Sequence, residues 1–197
     1  MVQTLTDKVI KLENIKKEAL KCKKCPLFET RTNLVFSDGN SEAKIMLIGE
    51  APGADEDATG TPFVGRAGKL LNQFLEKAGI NRPEEIYIAN ILKCRPPQNR
   101  TPIPSEKNAC FDFLKAQIDI IQPKVIILCG SCAVSMFIEK PLPISKIRGQ
   151  WFDYTETIKM MPIFHPSYLL RNHSTEDGKP RALTLGDLKT IKEFCGN

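Results

Sequence analysis

Nowhere does the 197-residue chain approach the roughly 20 consecutive apolar residues that a membrane-spanning helix needs, so no membrane partner is expected. Its start, Met1-Val2-Gln3-Thr4-Leu5-Thr6-Asp7, lacks the basic and then apolar pattern of a secretory leader. A cytoplasmic protein is the expectation. Internal repeats, low-complexity tracts and linker-like segments are also missing, which points to one domain over residues 1–197, working as a monomer. Histidine is scarce, with only two in the chain, so a histidine at a predicted site stands out.

Against these absences stands a surplus of cysteine. Seven cysteines in a chain without a secretory leader argue for metal ligation or reactive thiols, because the cytosol keeps thiols reduced. An odd number also means that some are bystanders. Net charge is +5 and pI about 8.8, which suits a polyanionic partner without identifying one.

Hydrophobic periodicity predicts an α/β fold. Leu5, Val9, Leu12, Ile15 and Leu20 form a helical stripe over residues 5–21, stopped by Cys22-Lys23-Lys24-Cys25-Pro26. A loop to about residue 43 follows. Lys44–Ile48, Ile86–Ala89 and Lys124–Leu128 are short apolar runs of the kind found in buried parallel strands. Lys159–Phe164 reads as the last central strand despite Pro162, and Trp151–Tyr154 as an edge. Helical patterns cover Gly65–Ala78, Ser105–Gln122, Ser131–Glu139 and Pro180–Cys195. The expected architecture is a three-layer αβα sandwich around a mostly parallel four-stranded sheet.

Ligands of open α/β sheets bind beyond the carboxyl ends of the strands. Those ends carry Gly49-Glu50-Ala51-Pro52-Gly53-Ala54-Asp55-Glu56-Asp57, Asn90, Gly130-Ser131 and His165-Pro166-Ser167-Tyr168. Taken singly, the glycine-proline segment is equally a tight turn, Asn90 equally a cap, and His165 a satisfied structural histidine.

In order along the chain, Gly49-Glu50-Ala51-Pro52-Gly53, Gly60-Thr61-Pro62-Phe63-Val64-Gly65, Asn90 and His165-Pro166-Ser167 resemble the signature of family 4 uracil-DNA glycosylases, the thermostable and bacterial iron–sulfur type. The resemblance runs from Cys22 to the final helix. It implies a monofunctional glycosylase that flips uracil from single- or double-stranded DNA, hydrolyses its N-glycosidic bond and leaves an abasic site for base-excision repair. Phe63 is then the stacking ring, Asn90 the reader of the pairing edge and His165 the donor to a carbonyl oxygen, with Gly49, Glu50 and Ala51 lining the pocket. In the best-known uracil-DNA glycosylases an aspartate occupies the place of Ala51. Glu50 is therefore the implied water-orienting group, with Asp55, Glu56 and Asp57 as rivals or as helix N-terminal charges.

The same resemblance assigns Cys22, Cys25, Cys94 and Cys110 to a 4Fe-4S cluster, for which four thiolates suffice. A four-cysteine zinc site is the chemical alternative. Cys129 and Cys132 form a second Cys-x-x-Cys, read as a redox pair or as small buried hydrophobes. The run His165-Pro166-Ser167-Tyr168-Leu169-Leu170-Arg171 resembles the family's second, DNA-entering motif, with Ser167 among its DNA contacts, Leu169 or Leu170 as wedge and Arg171 on phosphate. Lys23, Lys24, Arg31, Arg95 and Arg100 are further candidates for backbone contacts or a solvated basic face.

Three rivals differ in chemistry. A covalent uracil-DNA trap needs a histidine in the loop after the second strand, and Cys94–Pro102 holds none. A bifunctional lyase needs a lysine at a pocket-lining strand end, which is also missing. An iron–sulfur electron-transfer or DNA-binding protein without hydrolytic activity is the alternative from another class.

Overall fold

The computed structural model describes residues 6–196. Helix α1 (Asp7–Leu20) is capped by Thr6, whose hydroxyl accepts from the Val9 N–H. Leu5 of its predicted stripe lies outside the described residues. The one-turn helix α2 (Leu27–Thr30), the two-residue strand β1 (Asp38–Gly39) and strand β2 (Ile45–Gly49) follow. Helices α3 (Ala54–Thr59), α4 (Arg66–Lys77) and α5 (Arg82–Glu85) lead to β3 (Ile86–Asn90). After a single 3-10 turn at Pro97–Asn99 come α6 (Pro104–Ile121), β4 (Val125–Cys129), α7 (Ser131–Phe137), α8 (Ile144–Ile147) and β5 (Phe152–Asp153). The chain ends with β6 (Lys159–Ile163), α9 (Pro166–Leu169) and α10 (Pro180–Gly196).

The sheet has six strands in the order β1-β3-β2-β4-β6-β5. Its central four are parallel, as the apolar runs predict, while β1 and β5 pair antiparallel at the edges and raise the expected four to six. Each edge strand is only two residues long, too short for any period-2 pattern to register, which is why β1 falls inside a predicted loop. Pro162 is accommodated because β5 has ended: β5 pairs only with Lys159 and Met160 of β6, and the Pro162 carbonyl turns outward to accept from the Gly149 N–H. The missing Pro162 N–H therefore faces no ladder.

Alternating strand residues bury into two separate cores. Met46, Ile48, Tyr87 and Ile126 pack with Leu12, Phe113, Leu114 and Val134 of α1, α6 and α7. Ile45, Leu47, Ile88 and Ile127 pack with Leu71, Leu75, Leu169 and Leu188 of α4, α9 and α10. This is the three-layer sandwich. Among the described residues no helix is long and apolar enough to cross a membrane.

Candidate active site

All four parallel strands end on one side of the sheet, and the side chains just beyond them line one cleft. Glu50, Ala51, Phe63, Asn90, Gly130, Ser131, Cys132, His165, Ser167, Tyr168 and Arg171 face it. Gly49, the last residue of β2, pairs in register with Asn90. A Cβ at Gly49 would run into both the Asn90 carboxamide and the Phe63 ring, so glycine lets those groups approach across the cleft floor.

Phe63 is held in an uncommon conformation. Its φ of 54° is left-handed, a region that costs a non-glycine residue of order 1–3 kcal/mol and persists only where surroundings enforce it. Three neighbours enforce it. Glu56 accepts from the N–H groups of Val64 (2.9 Å), Gly65 (2.8 Å) and, with its other oxygen, Gly53 (3.0 Å). Arg82 donates to the carbonyls of Phe63 (3.0 Å) and Pro62 (2.7 Å) while pairing with Asp38. Gly68 lies so close to the Phe63 carbonyl that no side chain would fit. The ring is left 6.0 Å from that of His165, centroid to centroid.

Glu56 is therefore a scaffold carboxylate. Asp57 is buried and accepts from the N–H groups of Thr32 (3.0 Å) and Asn33 (3.4 Å), which removes it as a water-orienting rival of Glu50. Burial raises the Glu50 carboxyl above its ordinary range, a shift opposed by the neighbouring Cys132 thiol and the charge of Lys107.

His165 caps α9 and is oriented by Ser167, whose main-chain N–H donates to Nδ1 at 3.2 Å and whose hydroxyl lies 2.8 Å from the same nitrogen. Nδ1 is thus an acceptor, and a neutral ring carries its proton on Nε2. Burial keeps it neutral, lowering its pKa to about 4. The Asn90 carboxamide is buried yet bonds to no group among the described residues, which leaves donor and acceptor available. Asn99, unforeseen from the sequence, reaches the same cleft from the loop after Cys94 with φ of 57°, its Oδ1 accepting from Arg95 Nε at 2.8 Å. The Pro-Pro-Gln-Asn run was its available signal, since asparagine tolerates left-handed turns.

One DNA-segment expectation needs correction. Leu169 is fully buried in the α4–α9–α10 core and cannot act as a wedge, while Leu170 is half-buried against the same core and Tyr168 is exposed at the cleft. Ser167 lines the cleft with its hydroxyl 2.8 Å from His165 Nδ1. Arg171 is exposed on the cleft edge. Of the basic candidates, Arg31 bonds Leu20 and Cys94, Arg95 bonds Asn99, Arg100 pairs with buried Glu106, and Lys24 pairs with Asp112.

A second assembly lies behind β3. Cys22, Cys25, Cys94 and Cys110 line one chamber with Phe28, Arg31, Leu34 and Lys93, bringing together all four cysteines expected to act jointly. Arg31 Nη1 donates to Cys94 Sγ at 3.2 Å, and the Lys24 N–H to Cys22 Sγ at 3.5 Å. Among the described residues no three His, Cys, Asp or Glu side chains are gathered to hold one metal ion. The thiols surround a space, and cationic and N–H donors point at sulfur, which fits a multi-atom cluster bound through thiolates. Cys129 is fully buried at the end of β4 with its thiol pushed far upward by burial, and Cys132, at about 11, is likewise held protonated. Neither has the lowered pKa of a redox nucleophile.

Comparison with known proteins gives the family. The family model described as the uracil DNA glycosylase superfamily matches residues 36–189. The chain is 48% identical to the type-4 uracil-DNA glycosylase of Thermotoga maritima over 93% of its length and 94% of that protein. It is 40% identical to the type-4 uracil-DNA glycosylase of Archaeoglobus fulgidus over 94% of both chains, and 41% identical to that of Sulfurisphaera tokodaii over 93% of its length and 84% of that protein. With a glycine-floored cleft at the strand ends, a thiol-lined chamber behind it and this likeness from end to end, the chain belongs to the uracil-DNA glycosylase superfamily, in its type-4 branch.

Proposed function

We propose that the chain is a monofunctional uracil-DNA glycosylase that flips uracil out of single- or double-stranded DNA and hydrolyses its N-glycosidic bond, leaving an abasic site for base-excision repair. The observation that carries this reading is a neutral His165, fixed by Ser167 so that Nε2–H remains to donate, in one cleft with the unspent Asn90 carboxamide and the constrained Phe63 ring.

Bond cleavage leaves negative charge on the uracil oxygens and positive character on the sugar. Uracil stacks on Phe63, Asn90 meets its pairing edge with one donor and one acceptor, and His165 donates to the carbonyl oxygen where charge accumulates. Such pre-aimed donors are worth roughly 3–4 kcal/mol each in a site closed to water. A neutral imidazole polarises that oxygen through Nε2–H, which is too weak an acid to give its proton up. Glu50, on the strand end opposite, offers a carboxylate to water or to the developing sugar cation. Leu170, next to Tyr168, is the remaining wedge candidate to fill the space left by the base, and Arg171 meets phosphate.

Cys22, Cys25, Cys94 and Cys110 would hold the 4Fe-4S cluster, which supplies a structural tie between the α1–α2 region, the segment after β3 and α6. No catalytic step passes through it. The protein acts as a single-domain monomer inside the cell, where its DNA substrate is.

The test is an anaerobic preparation incubated with an oligonucleotide carrying one uracil, then treated with hot alkali. Strand scission that needs both uracil and alkali, and fails with thymine, is expected. Intact strands from cluster-loaded protein would contradict the reading.

A further inference from the structure

Lys93 is the deepest charge in the molecule, 1% exposed, and its partners are unusual. A buried ammonium needs hydrogen bonds and a counter-charge, or its desolvation goes uncompensated. Its hydrogen bonds go to two neutral oxygens, the Asn90 carbonyl at 2.8 Å and Gln117 Oε1 at 2.5 Å, and its ammonium lies 5.7 Å from the Phe36 ring. No carboxylate among the described residues pairs with it. The acidic groups it faces are the cysteines: Lys93 lines the thiol chamber together with Cys22, Cys25, Cys94 and Cys110.

Gln117 shows that this arrangement is imposed. Its Nε2 donates to the Phe36 carbonyl at 3.2 Å and to the Tyr87 hydroxyl at 3.0 Å, so its oxygen has to face the ammonium. The chain between the two sites is equally fixed. Ile91 and Leu92 are buried, and their N–H groups bond the carbonyls of Gly49 and Glu50. A shift at Lys93 therefore moves Asn90 against the β2 end.

We propose that Lys93 is a positioning residue that couples the two assemblies, as the buried counter-charge of the cluster thiolates and as the tether of the Asn90 main chain. The inference rests on the cluster and uracil-pocket readings above. Removing the cation makes the cluster harder to reduce and loosens Asn90 within the same local structure.

Lys93→Met keeps the length of the side chain without its charge, and Gln117→Leu withdraws one partner without touching a thiol or Asn90. For each, iron and sulfide per chain, the cluster's reduction potential, and kcat and KM on a single-uracil oligonucleotide would be measured and referred to loaded chains. Lys93→Met is expected to lower the potential and to reduce kcat per loaded chain roughly ten- to a hundredfold, the range seen when supporting partners of a bound metal are removed. Gln117→Leu is expected to move both quantities in the same direction by less. An unmoved potential, or activity that falls only in proportion to cluster lost, would overturn the coupling. Should Lys93→Met fail to fold or load, Gln117→Leu decides on the same two readouts. If the parent protein itself holds no cluster or frees no uracil, the reading beneath has failed and the coupling falls with it.

Discussion

The uracil cleft and the thiol chamber sit on the two sides of one short segment, Asn90 to Cys94, and are built on opposite plans. In the cleft the functional groups are left unspent while everything around them is committed: Glu56 and Arg82 fix the Phe63 backbone, Ser167 fixes His165, and Gly49 clears the floor. In the chamber the functional groups are themselves the targets, with Arg31 and the Lys24 main chain directing donors at sulfur. One site is a problem of orientation, the other of charge compensation. Damage to each should therefore look different.

The largest effect is expected at the chamber. Cys94→Ala should abolish the visible absorption of the cluster together with activity, and destabilise by more than about 4 kcal/mol. In a chain of this size that is a fall in Tm on the order of 10 °C. Retained colour and Tm would show that the chamber is not the tie it is taken to be. His165→Ala should separate the sites: single-turnover uracil release is expected to slow by roughly 10²–10³-fold while iron content stays at the parent value.

Arg82→Ala probes the scaffold of the cleft without touching a base-facing group. Loss of its bonds to the Phe63 and Pro62 carbonyls should cost about 1–3 kcal/mol in denaturant unfolding and raise KM more than it lowers kcat. An unchanged KM would show that Phe63 holds its place without it.

The smallest effect is on pH dependence. With the folded His165 pKa near 4, activity should show no step at the usual histidine value, and its acid limb should follow Glu50, above the ordinary carboxylate range. For stability, the unfolded chain binds a proton at His165 near the ordinary histidine value of 6.5, whereas the folded chain does not until about 4. Stability is therefore lost as pH falls through that window, and His165→Ala should flatten the slope there. A step in activity near pH 6.5 that disappears in His165→Ala would contradict the neutral-imidazole assignment.

What the sequence made legible follows from the range of each signal. β2, β3, β4 and β6 and the long helices α1, α4, α6 and α10 announce themselves through apolar runs and 3.6-residue stripes. The candidate site residues Glu50, Asn90 and His165 were legible as strand-end polar groups, and the four cysteines that line the chamber through family resemblance. Elements of one turn or two residues, such as β1, α2 and α5, leave no period to read. The supporting roles of Arg82, Glu56, Lys93 and Gln117 were illegible for another reason: each acts through main-chain or amide partners that only the folded loops and layers bring to it, and nothing in composition marks a lysine that will be buried. Leu169 and Leu170 are adjacent and chemically alike, so only the packing of α9 against α4 decides which one faces the core.

The most direct test is the release of free uracil from a single-uracil oligonucleotide, quantified by chromatography, for the parent and for Asn90→Ala at matched iron content. The account predicts one uracil and one abasic site per turnover from the parent, and release slowed by roughly 10²–10³-fold in Asn90→Ala with the cluster intact. A parent that frees no uracil, or an Asn90→Ala variant that matches it, would contradict the claim that this cleft carries the chemistry.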